Sequence, residues 1–412
     1  MRVAVLLEDR CKPNSNAFAY LQKYSAMCER ECIQFEGDKC KILESACPVC
    51  FNRARHCPDN AVIVINLPEE LDSEMSHCYG ENSFRLFRLP APRLEQVVGI
   101  LGPNGMGKST AVNLLSGSIT PNLGDWSNQT PDWDDVITTF PRGELRDYLT
   151  LLSEEGVSIA VKPQYIDKLP KIFEGEVNEL LERVDDRGEI DKYSEALGIG
   201  HILSRKLGSL SGGELQRVAL CATLLKEADV YFFDEPSSYL DIYERMRMVR
   251  IIQDLTATGK RVLVVEHDLA ILDVLCDLLH VVYGERAAYG IFTPARTTRT
   301  AINAYLDGYL PEENVRIRNK PIRFVRGRTR GEDIGLPILK WGDMEKKMGD
   351  FQLTTGQGEV RSAEVIGVVG PNATGKTTMV KMIAGELEPD QGWCTMEAEV
   401  SYKPQHVSTD FQ

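Results

Sequence analysis

Residues 102–110 read GPNGMGKST. In such a loop the glycines let backbone N–H groups close around phosphate oxygens, the lysine reaches the β- and γ-phosphates, and the hydroxyl after it holds Mg²⁺. Gly102, Asn104, Gly105, Gly107, Lys108, Ser109 and Thr110 are thus candidate nucleotide ligands, with Ser109 also on the metal. The pattern recurs as GPNATGKTT at 370–378, which nominates Gly370, Asn372, Gly375, Lys376, Thr377 and Thr378, with Thr377 as the second Mg²⁺ hydroxyl. Asp234 and Glu235 follow the apolar run Val-Tyr-Phe-Phe. Two carboxylates at a strand's carboxyl end suit a Mg²⁺-bound water and a base that activates it, or a helix cap. A third group is sulfur. Seven of the eleven cysteines precede residue 58: Cys11, Cys28, Cys32, Cys40, Cys47, Cys50 and Cys57. In an intracellular protein such clustering points to metal before disulfides.

These groups need a scaffold. Val97–Leu101 is short, apolar and β-branched, and a helix is expected to open near Lys108. Val230–Phe233 and Val262–Val265 have the composition of buried parallel strands. The stretch 98–124 aligns without a gap on 366–392, at an offset of 268 residues, and each copy is followed by a KPQ triplet, at 162–164 and 403–405. Two homologous units therefore share one chain. The expected division is a Cys-rich domain over 1–67, a full α/β unit over 68–295, a connector over 296–335 and the front of a second unit over 336–412. Within the connector, 315–330 carries Arg316, Arg318, Lys320, Arg323, Arg326, Arg328 and Arg330 and no acid, which suits RNA phosphates or a solvated linker.

The 412 residues carry a net charge of −14 and a pI of about 5.1. That argues against broad nonspecific nucleic-acid binding, and so against DNA as a partner. No apolar stretch approaches the ~20 residues of a membrane span, and the amino terminus lacks a signal-peptide pattern. The expectation is a cytoplasmic protein without a membrane partner.

Leu210-Ser211-Gly212-Gly213-Glu214-Leu215-Gln216 resembles the signature motif of ABC ATPases. Around it, in the family's order, stand Gln164 as the Q-loop residue, Asp234-Glu235, the D-loop ending at Asp241, and His267 as the switch histidine. The resemblance implies that Gln164 and Asp234 hold or sense Mg²⁺, Glu235 polarises the attacking water and His267 touches the γ-phosphate. Ser211, Gly212, Gly213 and Glu214 would serve the nucleotide held by the opposite unit. Gln405 matches Gln164 in the second unit and would likewise meet Mg²⁺. Four features resemble one branch, the ribosome-recycling ABC ATPases also called RNase L inhibitors (the E subfamily): the Cys-rich head, Cys57-Pro58 followed by Asn66-Leu67-Pro68, a helix-loop-helix insertion at about 131–153, and the connector with Leu306-Asp307-Gly308-Tyr309-Leu310-Pro311. The implied fold is α/β, with ABC-type P-loop nucleotide-binding domains behind a small ferredoxin-like α+β domain. The implied activity is ATP hydrolysis coupled to splitting of ribosomal subunits after termination and to translation initiation. Partners would be the small ribosomal subunit with its rRNA, and release and initiation factors. Tyr79 and Phe84 match positions that stack on adenine, or are ordinary core aromatics.

Two departures stand out. The family's two 4Fe–4S clusters need eight cysteines, with C-x₂-C-x₂-C-x₃-C-P in one run. Here that run is Cys47, Cys50, Arg53, Cys57-Pro58, and a guanidinium cannot ligate iron. One cluster, two with a substitute ligand such as His56, or none all remain open. The second unit also shows a P-loop and Gln405 but no signature, Asp-Glu pair or switch histidine. Each composite ATP site would then lack a part. The expectations are a carboxy-terminally shortened chain that binds Mg·ATP but turns it over poorly alone. The competing readings are a non-catalytic nucleotide-dependent ribosome binder and a transporter's ATPase subunit.

Overall fold

The computed structural model describes residues 2–27, 32–43, 55–127, 131–154, 156–323, 335–349, 351–396 and 399–403. The chain divides into two compact units, 1–238 with 247–323 and 239–246 with 324–412.

The first unit opens on β1 (Arg2–Leu6), a helix over Asn16–Ser25 capped by Ser15, and the hairpin β2 (Ile33–Glu36) with β3 (Lys39–Ile42). It then returns along β4 (Val62–Asn66), antiparallel to β1. Ala4, Phe18, Leu21, Ile33, Ile42 and Val62 make one small core, and Cys11, Cys40 and Cys57 sit inside it.

The larger part is built on a nine-stranded mixed sheet. After β5 (Met75–Cys78), β6 (Arg85–Phe87) and β7 (Val97–Leu101) come β8 (Ile159–Lys162), β9 (Val230–Asp234), β10 (Arg261–Val265), β11 (Leu278–Glu285), β12 (Tyr289–Phe292) and β13 (Arg296–Thr297). The spatial order is β5-β6-β12-β11-β7-β10-β9-β8, with β13 beside β11. The run β11-β7-β10-β9-β8 is parallel. All five residues of β7 are buried, as expected for a parallel strand covered on both faces. Gly99 shows how tightly: a Cβ there would lie 2.6 Å from Leu279 Cδ1 and 2.7 Å from Cys276 Sγ.

The insertion forms two helices, Trp133–Thr139 and Glu144–Ser153. The buried Tyr148 hydroxyl anchors the second by donating to Leu115 O, 2.5 Å away, at the end of the helix that follows the P-loop.

Of the connector expected over 296–335, the stretch 296–323 groups with the first unit. β13 joins the sheet, and the helix Thr298–Asp307 buries Thr298, Ala301 and Ile302. Thr298 Oγ1 donates to Cys276 O at 2.7 Å, and Glu313 pairs with Arg88 at 2.6 Å. The polar and arginine-rich composition hid this narrow buried stripe. Residues 324–330 of the basic run lie outside the described residues.

The second unit has a three-stranded sheet of Pro337–Trp341, Gly358–Arg361 and Cys394–Met396, and a hairpin of Met344–Met348 with Phe351–Thr355. Its core is Leu339, Trp341, Met344 and Met382. No helix is long and apolar enough to cross a membrane among the described residues.

Candidate nucleotide site

β7 delivers its chain to the loop at Gly102, and the helix Lys108–Leu115 begins directly behind Gly107. Gly107 has φ 85° and caps the helix in the left-handed region. A Cβ would be strained there and would also meet Phe84 Cζ at 2.7 Å. The loop amides and the helix N-terminus together form an anion cradle. Lys108 is buried and its amine donates to Gly102 O and Pro103 O, each at 2.9 Å, and to Asn104 Oδ1 at 3.3 Å. Burial pushes its pKa down to about 8, against the pull of Asp234 and Glu235.

β9 ends at Asp234, whose Oδ2 accepts from Ser109 Oγ at 3.4 Å. Burial, then the neighbouring Glu235, pushes the Asp234 carboxyl up to about 6. Glu235 has φ 46°, a left-handed conformation uncommon for a non-glycine residue. Its surroundings hold it there. Its N–H donates to Val265 O at 2.9 Å, and its C=O accepts from Gln216 Nε2 at 2.9 Å and Lys162 Nζ at 3.3 Å. The carboxylate then meets Gln164 Nε2 at 2.7 Å and His267 Nε2 at 3.4 Å. Burial and the nearby Lys108 lower the His267 pKa below its ordinary value, so at neutral pH the contact joins a neutral imidazole to the carboxylate. Backbone strain maintained at a carboxylate in a cleft is the pattern of a functional site.

Tyr79, Phe84, Asn104, Gly105, Gly107, Lys108, Ser109, Thr110, Gln164, Asp234 and Glu235 line one cleft of about 520 Å³. Tyr79 donates from its hydroxyl to Thr110 Oγ1 at 3.2 Å, and its ring is half exposed. Ser211, Gly212, Gly213 and Glu214 do not line this cleft. They start the helix Gly212–Leu224, where Ser211 and Glu214 form a reciprocal cap, with Ser211 N–H to Glu214 Oε2 at 2.8 Å.

In the second unit the same loop is formed locally. Gly375 has φ 91° and caps the helix Lys376–Ile383, while Lys376 donates to Gly370 O at 2.6 Å and to Pro371 O. Thr377 and Thr378 lie in the first turn of that helix. Asn372 N–H donates to Asp241 Oδ2 at 2.8 Å within this unit. Gln405 lies outside the described residues.

Several contributors escaped the sequence reading. Lys162, Gln216 and Glu266 never touch the cleft's opening; they fix its backbone. Glu266 accepts from Ser237 N–H at 2.8 Å and His267 N–H at 2.9 Å. The repeated KPQ triplet was a signal for Lys162. Phe351, whose Cζ is 3.0 Å from a Cβ built on Gly375, takes the place that Phe84 takes beside Gly107; the matching Phe-x-Leu at 84–86 and 351–353 was its signal.

The cysteines give less. Cys11, Cys32, Cys40 and Cys57 are buried. Burial first, then Cys11 and its neighbours, pushes Cys40 up to about 12 and Cys57 to about 11. Among the described residues no group of three or more His, Cys, Asp or Glu side chains is arranged to hold a metal. Cys28, Cys47, Cys50 and Arg53 lie outside the described residues.

A P-loop after a central parallel strand, an Asp-Glu pair ending its neighbour strand, a Q-loop glutamine and a switch histidine define an ATP-binding cassette, a class that uses ATP with Mg²⁺. The family model described as ABC transporter matches residues 93–238 and 353–410. An uncharacterised ABC transporter ATP-binding protein of Methanocaldococcus jannaschii is 42% identical over 432 residues, covering 100% of this chain and 68% of the relative. Translation initiation factor RLI1 of Saccharomyces cerevisiae is 38% identical, covering 100% and 69%. A ribosome-bound archaeal Pelota and ABCE1 assembly matches with TM-score 0.90 at 44% identity, covering 100% of this chain and 70% of that one. An archaeal ribosome recycling factor aABCE1, solved with the stalk protein aP1, matches with TM-score 0.75 at 45% identity, covering 83% and 66%. The chain belongs to the ABCE1/RLI1 family of ABC ATPases, the RNase L inhibitors.

Proposed function

We propose that the chain acts in ribosome recycling and translation initiation, with ATP binding and hydrolysis driving the separation of ribosomal subunits. The observation that carries the catalytic part is Glu235, held in a strained backbone conformation and bonded to both Gln164 and His267 beside the phosphate loop. The family part rests on relatives whose names place them on the ribosome with Pelota or the stalk protein.

In this reading Lys108 gives up its bonds to Gly102 O and Pro103 O and turns to the β- and γ-phosphates, whose charge offsets the cost of its burial. Ser109 and Asp234 would hold Mg²⁺, with Gln164 beside them, and the bound ion would supply positive charge toward the phosphates. Glu235 orients and polarises the attacking water, and His267 holds the γ-phosphate end. Tyr79 and Phe84 stack on the adenine. Ser211 and Gly213 serve a nucleotide held by an opposite unit, and the loop 370–378 with Lys376, Thr377 and Gln405 holds a nucleotide of its own. The domain division at 67, 295 and 335 is proposed with one refinement: 296–323 is structural support for the first cassette.

Cosedimentation with small ribosomal subunits tests this. Binding should require Mg·ATP and fail with ADP; equal binding in both states would sink the proposal. Purified chain should turn ATP over slowly, and rapid turnover abolished by Glu235→Gln would refute the expectation of an incomplete site. A non-catalytic nucleotide-dependent ribosome binder is the second reading, favoured by the solvent-exposed segment 364–369 that leads to the second P-loop. Arg316 is exposed and is the better RNA contact, because Arg318 stacks over Tyr305 at 5.2 Å and caps the carbonyl of Leu306. An iron–sulfur cluster is supported by the cysteine spacing alone, and iron and acid-labile sulfide assay after anaerobic purification decides it.

A further inference from the structure

The loop between β5 and β6, residues 79–84, has two ends and a tip with different tasks. Tyr79 and Phe84 close its base, with Tyr79 N–H to Phe84 O at 3.3 Å, and both line the nucleotide cleft. Its tip turns the other way, into the small amino-terminal domain. There Asn82 is buried. Its Oδ1 accepts from Ile42 N–H at 2.8 Å, and its Nδ2 donates to Ile42 O at 2.9 Å and Ala4 O at 3.0 Å. Its backbone C=O accepts from Leu6 N–H at 2.8 Å.

Ala4 and Leu6 belong to β1, and Ile42 to β3, which lie in two separate two-stranded sheets. One carboxamide therefore ties both sheets of the amino-terminal domain to one loop of the cassette. The task fits this side chain. A carboxamide offers an acceptor and two donors, whereas a carboxylate offers no donor and an alkyl group neither. At the rim Glu81 pairs with Lys41 at 2.6 Å, and its backbone carbonyl accepts from Arg85 at 2.9 Å. Buried polar groups that are fully bonded fix one arrangement, because breaking them leaves donors and acceptors stranded.

We infer that Asn82 is a positioning residue for the first ATP site: by tying the 79–84 loop to the amino-terminal domain it sets the stacking geometry of Tyr79 and Phe84, so that recognition of the base depends on the docked position of that domain. This rests on the proposed adenine contacts of those two aromatics. Asn82 touches no nucleotide itself. Its loss should affect the base and spare the phosphates, which the loop 102–110 holds independently.

The test compares Mg·ATP with inorganic triphosphate, which has no base, on the full chain. Asn82→Ala and Asn82→Asp should each weaken ATP about fivefold, a fraction of a full base stack, and leave triphosphate affinity unchanged. Unchanged ATP affinity in a folded Asn82→Ala protein overturns the inference, as does an equal loss for both ligands. A second measurement uses the unaltered chain and so does not depend on the variants folding. ATP should slow hydrogen exchange at the Leu6 and Ile42 amides, both bonded to Asn82, and triphosphate should not; identical exchange with the two ligands overturns it. Tyr79→Ala separates the two layers of the argument. If it leaves the preference for ATP over triphosphate intact, the adenine reading itself is wrong. If it removes that preference while Asn82→Ala does not, only the coupling is wrong.

Discussion

The chain carries the same phosphate loop twice, and the two copies have unlike surroundings. At the first, Val97 and Leu101 bracket a strand paired on both sides and are 1% and 2% exposed. At the second, the matching Val365 and Val369 are 97% and 87% exposed, and 364–370 pairs with no strand among the described residues. Yet both loops form. Gly107 and Gly375 adopt nearly the same φ, both lysines turn back to the same loop carbonyls, and a phenylalanine packs beside each. The loop's shape is thus a local property of glycine placement and helix nucleation. Its electrostatic setting is not. Among the described residues only the first copy has such neighbouring strands, β9 and β10, which bring Asp234, Glu235 and His267.

Hydrogen exchange probes this contrast most directly. The amides of 98–101 should exchange only by large-scale opening, about 10⁴-fold or more slower than those of 366–369. Comparable rates would show that 366–369 is paired in solution.

A pH titration asks whether the first sheet carries the stability. His280 on β11 is buried with Nδ1 2.7 Å from Thr293 O, and burial pushes its pKa down to about 4. A depressed histidine pKa means that the unfolded chain binds the proton more readily. The contribution is whole above about pH 6.5 and is lost as pH falls toward 4, a change on the order of 3 kcal/mol in the first unit. His280→Asn should flatten that slope in urea melts; an unchanged slope would place the acid sensitivity elsewhere.

Nucleotide binding sharpens the contrast in the loops. Lys108→Ala should weaken Mg·ATP at the first site about 100-fold, because the ammonium acts in a buried, low-dielectric cradle. Lys376→Ala should cost nearer tenfold at the more exposed second loop. Equal losses by calorimetry would mean that surroundings do not matter.

The smallest effect is the cleanest. Gly99 and Gly367 are matched positions in the repeat. A methyl at Gly99 collides with Leu279 and Cys276, whereas nothing lies within 4 Å at Gly367. Gly99→Ala should destabilise the first unit by about 2 kcal/mol and Gly367→Ala by under about 0.5 kcal/mol.

The sequence alone determined whatever depends on short-range spacing. The glycines and lysine of both loops, the strand before the first, the Asp-Glu pair and the signature at 210–216 are all set by neighbours a few residues apart. The adenine candidates Tyr79 and Phe84 came from the family resemblance. Tertiary structure decided what depends on contacts between distant segments. Lys162 and Gln216 meet at the backbone of Glu235 from 73 and 19 residues away. Residues 296–323 pack against β11 although their composition reads as linker. Asn82 reaches 40 and 78 residues back to Ile42 and Ala4. A hydrogen bond between remote segments leaves no periodicity in either one, so the groups that hold the site in shape became visible only when the chain was folded around it.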